Sequence, residues 1–144
     1  MFSKACEYGI KATIHISHQS RLGKRVSLKE VASAIDSPVA FTAKILQSLA
    51  SNNIIKSSQG INGGYSISKE RQTQLSLHDI VIAIDGDKII KNCALGLKEC
   101  NNESPCPLHD KFKKVKDELL DMMLSTTILK LGDSVEKGQT VLVV

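Results

Sequence analysis

Three cysteines and one histidine lie close together in the second half of the sequence. Cys93, Cys100 and Cys106 are followed by His109, which gives the spacing C-x6-C-x5-C-x2-H. Three thiolates in one loop would repel each other unless a cation holds them, so the spacing predicts a metal or redox site. A zinc ribbon usually shows close C-x2-C pairs, and none occurs among these cysteines. The pattern therefore favours an iron-sulfur cluster over zinc.

The N-terminal half carries the signals of a helix-turn-helix. Apolar residues recur at helical spacing from Phe2 to about Ser17, which predicts an amphipathic first helix. Ser27 and Glu30 form a capping box at the start of a short second helix. Ser37 and Pro38 supply an N-cap and a first-turn proline for a third helix. Its predicted core-facing residues are Val39, Thr42, Leu46 and Leu49.

A β-hairpin is predicted directly after the third helix. Residues 54–68 read as a strand, a turn and a second strand, because Asn62, Gly63 and Gly64 can reach the positive φ angles that a hairpin turn needs. Ser76 is a candidate cap for a further helix that ends near Asp85. A hairpin after a helix-turn-helix is a wing, so the predicted fold class is mainly α with a small β wing.

The chain divides into four predicted parts. Residues 1–87 form a winged helix-turn-helix DNA-binding domain, and residues 88–110 form the cysteine loop for the cluster. Residues 111–131 form a long C-terminal helix, whose apolar stripe suits dimerisation. The predicted inward residues are Phe112, Val115, Leu119, Leu120, Met123 and Leu124, and the predicted outward residues are Lys113, Lys114, Lys116, Asp117 and Asp121. Residues 132–144 form a tail that ends in a short β-prone run.

Charge and composition restrict the function classes. Residues 1–72 carry a net charge of +6 and residues 73–144 a net charge of −2, so the N-terminal half is the expected contact surface for a polyanion such as DNA. No apolar stretch approaches the roughly 20 residues of a membrane span, and no secretion signal is recognised. We expect a cytoplasmic protein with no membrane partner. No phosphate-cradling loop, nucleophile elbow or paired-carboxylate motif predicts an enzyme.

Four motifs together resemble the Rrf2 family of bacterial transcription regulators. They are Glu7-Tyr8-Gly9-Ile10-Lys11-Ala12, the capping-box segment 27–32, the wing Gly60-x-x-Gly63-Gly64-Tyr65 and the cysteine triplet. The resemblance implies a homodimer in which each third helix enters a major groove of double-stranded DNA and each wing an adjacent minor groove. The operator is then palindromic, with half-sites roughly 34–36 Å apart. The candidate DNA-binding residues are Ser27, Pro38, Ala40, Thr42, Ala43, Lys44, Gln47, Lys56, Gln59 and Asn62.

The resemblance also implies the cofactor and two rival fourth ligands. An iron-sulfur cluster is expected on the three loop cysteines, with 2Fe-2S favoured and 4Fe-4S also possible. His109 matches the position from which IscR-like members supply a histidine, and we favour it. Glu7 matches the first-helix carboxylate that NsrR-like members supply across the dimer interface. Cys6 is predicted to be a small buried helix residue, with a reserve ligand or reactive thiol as the alternative.

The predicted function is a DNA-binding regulator whose operator affinity depends on a cluster that senses iron-sulfur status, oxygen or nitric oxide. The alternative is a winged-helix regulator without a cluster, in which the loop cysteines form reversible disulfides or bind zinc.

Overall fold

The protein is a mainly helical chain with one small antiparallel sheet. The computed structural model describes residues 1–143. Within them the elements in chain order are α1 (Lys4–Arg21), α2 (Leu28–Ala34), α3 (Val39–Ser51), β1 (Lys56–Ser58), β2 (Gly64–Ser66), α4 (Lys69–Gln74), α5 (Leu77–Asp85), α6 (Lys88–Lys91), α7 (His109–Ser125) and α8 (Ile128–Glu136). In this described part of the chain, no helix is long and apolar enough to cross a membrane.

The helix-turn-helix consists of α2 and α3, and the predicted capping box is confirmed. The Ser27 hydroxyl accepts from the Glu30 amide at 3.2 Å, and the Glu30 carboxylate accepts from the Ser27 amide at 2.6 Å. The prediction for the start of α3 is wrong by one residue, since Pro38 precedes the helix and Ser37 does not cap it. Val39 is also not a core residue, because it lies in the first turn, ahead of the buried stripe, and remains 45% exposed.

The wing is confirmed and gains a third chain segment. β1 pairs with β2 in the register Lys56↔Ser66, and Val26 makes an isolated bridge to Tyr65 on the other edge of β2. Gly64 makes this close approach possible. Its φ is +132°, and a Cβ atom there would lie 2.7 Å from the Val26 carbonyl oxygen.

Helix α4 is not predicted by the sequence pattern, because its residues are polar on nearly every side. Its Gln72 is nevertheless fully buried. The Gln72 carboxamide accepts from the Ser17 hydroxyl at 2.8 Å and donates to the Ile67 carbonyl oxygen at 3.1 Å. This side chain therefore joins α1, α4 and the end of the wing.

Helix α5 joins two packed clusters of side chains. The larger cluster contains Leu46 of α3 and Ile80 of α5, together with residues of α1 and the wing. The smaller cluster joins Cys6 of α1 to Leu77 and Val81 of α5 and to Met123 of α7. The predicted helix at Ser76 is confirmed, with a capping box between Ser76 and Asp79.

The C-terminal region differs from the predicted single helix and tail. Helix α7 starts at His109 and ends at Ser125, and Thr127 caps α8 by accepting from the Lys130 amide at 3.3 Å. The predicted boundary between residues 131 and 132 therefore falls inside α8, which packs on α1 through ion pairs of Arg21 with Asp133 and Glu136. Residues 141–143 form no strand, and Val144 lies outside the described residues.

Candidate functional site

The cysteine loop lies between α6 and α7, and its first and last cysteines lie near each other. Cys93 is buried, and Cys106 is close enough to its sulfur to affect its pKa. The pKa of the Cys93 thiol is lowered, chiefly because the Leu95 and Leu97 backbone amides donate hydrogen bonds to its sulfur, and also through Cys106 and the nearby Lys116 charge. The loop therefore stabilises a thiolate at this position.

The other cysteine of the loop faces the histidine. Cys100 Sγ lies 3.4 Å from His109 Nδ1, and His109 Nε2 lies 2.8 Å from the Asn102 side-chain oxygen. The Asn102 oxygen accepts a hydrogen, so it holds the ring proton on Nε2 and leaves the Nδ1 lone pair directed at Cys100. His109 is 8% exposed at the first position of α7, while Cys100 is exposed.

Two side chains that the sequence pattern does not single out support the loop. Asn102 orients the histidine, and Lys116 of α7 reaches back to donate a hydrogen bond to the Asn92 carbonyl oxygen. The sequence predicts Lys116 on the outward face, but the structure turns it toward the loop. In the sequence, the one indication of this hydrogen bond is that a lysine occurs two turns into the helix that follows the last cysteine.

The four predicted ligands are arranged as two pairs. Cys93 lies near Cys106, and Cys100 contacts His109. Within residues 1–143 no three histidine, cysteine or carboxylate side chains converge closely enough to bind a single metal ion. The donor set nevertheless fits the iron of a cluster in kind, because three thiols and one imidazole are the ligand types that clusters use.

The rival ligand Glu7 and the reserve cysteine lie on α1. The Glu7 carboxylate forms an ion pair with Lys4 at 2.9 Å, and its pKa is lowered by the hydrogen bond and the charge of that lysine. Cys6 is fully buried, and desolvation raises its pKa to about 12. Its prediction as a buried core residue is confirmed. A reactive thiol or a reserve ligand at Cys6 is not compatible with this burial.

The candidate DNA-contact residues are mostly exposed. Exposed positions of α3 and its approach include Pro38, Ala40, Lys44 and Gln47, while Ala43 is half-buried. For Thr42 the predicted core position is confirmed and the predicted DNA contact is wrong, because it is fully buried and its hydroxyl is bonded to the Pro38 carbonyl oxygen at 2.9 Å. Ser27 is exposed, but its hydroxyl caps α2.

The wing presents its own exposed set, Lys56, Gln59 and Asn62. Arg25 joins them, although the sequence pattern does not identify it. Its Nη1 donates to the Asn62 carbonyl oxygen at 3.0 Å, which fixes the guanidinium group beside the wing tip. Arg25 lies beside the wing because it directly precedes Val26, which bridges to β2.

The apolar stripe of α7 is only partly covered within the chain. Met123 is fully buried, and Leu119 and Leu120 are half-buried against α1 and α5. Three residues that the sequence places inward are exposed by 40–54%: Phe112, Val115 and Leu124. An uncovered stripe of this kind is typical of a helix that packs on another molecule.

Comparison with known proteins agrees with this architecture. A family model described as Rrf2, iron-dependent transcriptional regulator, matches residues 2–134. A protein of Aquifex aeolicus described as an HTH-type transcriptional regulator is 27% identical over 140 residues, 95% of this chain and 94% of that protein. The structure of CymR, the global cysteine regulator of B. subtilis, has a TM-score of 0.77 at 19% identity and covers 92% of this chain and 96% of its own. T. potens IscR has a TM-score of 0.74 at 20% identity, with 98% of this chain and 92% of IscR covered.

Proposed function

The chain belongs to the Rrf2 family of transcriptional regulators, and from this premise we propose that it is a homodimeric operator-binding regulator controlled by an iron-sulfur cluster in the cysteine loop. The family consists of regulators and not of enzymes. The observation that carries the cluster assignment is that the four donors of one loop lie as two pairs, Cys100 beside His109 at the start of α7 and Cys93 near Cys106.

DNA binding uses α3 and the wing. Lys44 and Gln47 are the exposed polar side chains of α3 that can reach base edges in a major groove. Lys56 and Arg25 supply positive charge for the phosphates beside the wing. The uncovered stripe of α7 packs on its copy in a second chain, and the resulting two-fold axis requires a palindromic operator. Such a protein acts in the cytoplasm, where bacterial DNA is located.

The two donor pairs favour a 2Fe-2S cluster, in which each of two irons takes two protein ligands. When bound, the cluster supplies one-electron redox chemistry and reactivity toward oxygen or nitric oxide. Asn102 orients the His109 ring, and the Leu95 and Leu97 amides stabilise the Cys93 thiolate. An imidazole ligand dissociates more readily than a thiolate and must be deprotonated to bind, so His109 makes occupancy sensitive to pH.

The loop can affect α3 through α7 and α5. His109 begins α7, whose Met123 packs on Leu77 and Val81 of α5. In turn, α5 accepts a hydrogen bond at the Ala83 carbonyl oxygen from the Ser48 hydroxyl of α3 at 3.3 Å. A change in loop structure that shifts α7 would therefore change the placement of the two recognition helices in the dimer. A typical coupling free energy of about 1–3 kcal/mol corresponds to about a 5- to 150-fold change in DNA affinity.

The test is anaerobic purification followed by the visible absorption spectrum and the iron and sulfide content. We expect a brown protein with about two irons and two sulfides per chain. His109→Ala should lose most of the visible absorbance, and Asn102→Ala should weaken cluster retention by about 10- to 100-fold. His78→Ala, a histidine change outside the loop, is the matched control and should leave the spectrum unchanged.

The same measurement on Glu7→Ala decides between the rival ligands. Loss of the cluster from Glu7→Ala but not from His109→Ala would reassign the fourth ligand to the carboxylate. A colourless wild-type protein that contains zinc, or no metal, would contradict the cluster proposal and leave the regulator assignment intact.

The proximity of Cys93 and Cys106 favours thiol chemistry as a second candidate. Here the Cys93 thiolate and the Cys106 thiol form one sulfur-sulfur bond, and together they lose two electrons to a peroxide, which is reduced to water. Mass spectrometry after alkylation with iodoacetamide would show a Cys93–Cys106 cross-link in peroxide-treated protein. In that case Cys100→Ala would retain redox-dependent DNA binding, whereas in the cluster mechanism it would lose the response.

A further inference from the structure

The tip of the wing carries one large apolar side chain that none of residues 1–143 covers. Ile61 is fully exposed at the centre of the turn between β1 and β2. Exposing an isoleucine side chain costs about 1.5–3 kcal/mol relative to burying it. Its position in the turn of the proposed DNA-binding wing indicates a contact made only in the complex.

The turn that carries Ile61 is held rigidly. The Gly63 amide donates to the Gly60 carbonyl oxygen at 3.0 Å, and the Arg25 guanidinium donates to the Asn62 carbonyl oxygen at 3.0 Å. A Cβ atom on Gly63 would lie 2.4 Å from the Ser58 carbonyl oxygen, so only glycine allows the turn to close this tightly. The backbone on both sides of Ile61 is therefore fixed before any partner binds.

The surroundings of Ile61 are positively charged. Residues 22–27 and 56–66, which form the wing and the segment beside it, contain Lys24, Arg25 and Lys56 and no aspartate or glutamate. Arg25, Ile61 and Asn62 also border an open cleft of about 520 Å³. An apolar tip between cations suits a DNA strand, whose bases are apolar on their faces and whose phosphates are negative.

We propose that Ile61 is the wing's minor-groove contact, pressing against a base step and partly unstacking it, while Arg25 positions the tip and contacts the adjacent phosphate. Proteins that insert isoleucine or similar residues between base steps use this chemistry to read sequence through DNA deformability. The proposal rests on the DNA-binding function proposed above and assigns one specificity-determining residue within it. It also explains how α3, with few base-edge donors, can be supplemented by indirect readout.

The experiment measures affinity for a fluorescein-labelled 40-base-pair duplex that the wild-type protein has itself enriched from a random library. Ile61→Ala should weaken binding by about 5- to 20-fold with an unchanged salt dependence, because no charge is removed. Arg25→Ala should weaken binding and reduce the slope of log K against log salt by about 1. Val141→Ala is the control. Like Ile61→Ala it truncates an exposed β-branched side chain, but Val141 lies far from the wing in sequence, so this variant should bind like wild type.

A second readout separates base contact from affinity. With 2-aminopurine placed at successive positions of the same duplex, saturating wild-type protein should raise the fluorescence at one step in each half-site, and saturating Ile61→Ala should not. Binding of Ile61→Ala within about twofold of wild type, with the same fluorescence pattern, would overturn the role of Ile61 and leave DNA binding intact. A wild-type protein that enriches no duplex, with or without iron, would refute the DNA-binding function and this role with it.

Discussion

Gln72 is the clearest test of how the wing is attached to the helices. Its carboxamide takes part in three hydrogen bonds: from the Ser17 hydroxyl at 2.8 Å, to the Ser17 carbonyl oxygen at 3.3 Å and to the Ile67 carbonyl oxygen at 3.1 Å. Leucine has a similar volume but no polar atoms, so Gln72→Leu leaves these groups without their partner in a buried site. At about 1 kcal/mol for each lost bond, we expect the free energy of unfolding to fall by about 2–4 kcal/mol.

Urea unfolding followed by circular dichroism measures this change. With a slope of about 2 kcal/mol/M, the midpoint should fall by about 1–2 M. Gln74→Leu, an exposed change on the same helix, should alter the free energy by less than about 0.5 kcal/mol. The double variant Ser17→Ala/Gln72→Leu should recover about 1 kcal/mol relative to the sum of the single changes, because the unpaired hydroxyl is also removed. Equal midpoints for the two leucine variants would refute the reasoning.

Three further predictions concern the interface, the wing and the buried thiol. Lys44→Ala should lower DNA affinity by about 1–3 kcal/mol and relax the base preference at one position of each half-site, measured by fluorescence anisotropy on duplexes with single base changes, whereas an unchanged preference would place Lys44 away from the base edges. Gly64→Ala should destabilise the protein by about 1–3 kcal/mol in thermal unfolding, because alanine resists a φ of +132° and its Cβ would meet Val26. Cys6 should react with iodoacetamide at pH 8 only in urea. Because its pKa rises from 9.0 to about 12, the stability that it contributes is present below pH 9 and is lost as the pH rises toward 12.

The sequence predicts those parts of the fold that depend on interactions between residues only a few positions apart. The capping boxes at Ser27 and Ser76 and the glycines of the wing act within a few residues, so their signals are complete in the sequence. Helix α4 has no such signal, because its one buried residue is the polar Gln72. The break between α7 and α8 depends on tertiary bonds, such as Leu77 donating to the Thr126 carbonyl oxygen at 2.9 Å.

The candidate site shows the same division. The spacing of Cys93, Cys100, Cys106 and His109 identifies the ligand types, but which cysteine faces the histidine depends on the conformation of an irregular loop. Asn102 and Lys116 act on the loop through contacts across 7 and 24 residues of chain, which periodicity does not encode. Thr42 illustrates the reverse error, since a polar residue at the start of a recognition helix suggests a DNA contact while its hydroxyl is already bonded inside the protein.

The proximity of Cys93 and Cys106 bears on the length of the tether between α6 and α7. Residues 92–108, fully stretched, could span roughly 60 Å, far more than the dimensions of the domain. If a disulfide or a shared cluster iron joins the two sulfurs, nearly all of that chain is taken out of the path, and only the few residues outside the pair link the end of α6 to the start of α7. When Cys93 and Cys106 separate, the full length of the loop is again available between α6 and α7. The position and the range of motion of α7 are then limited by its side-chain contacts and not by the length of the chain.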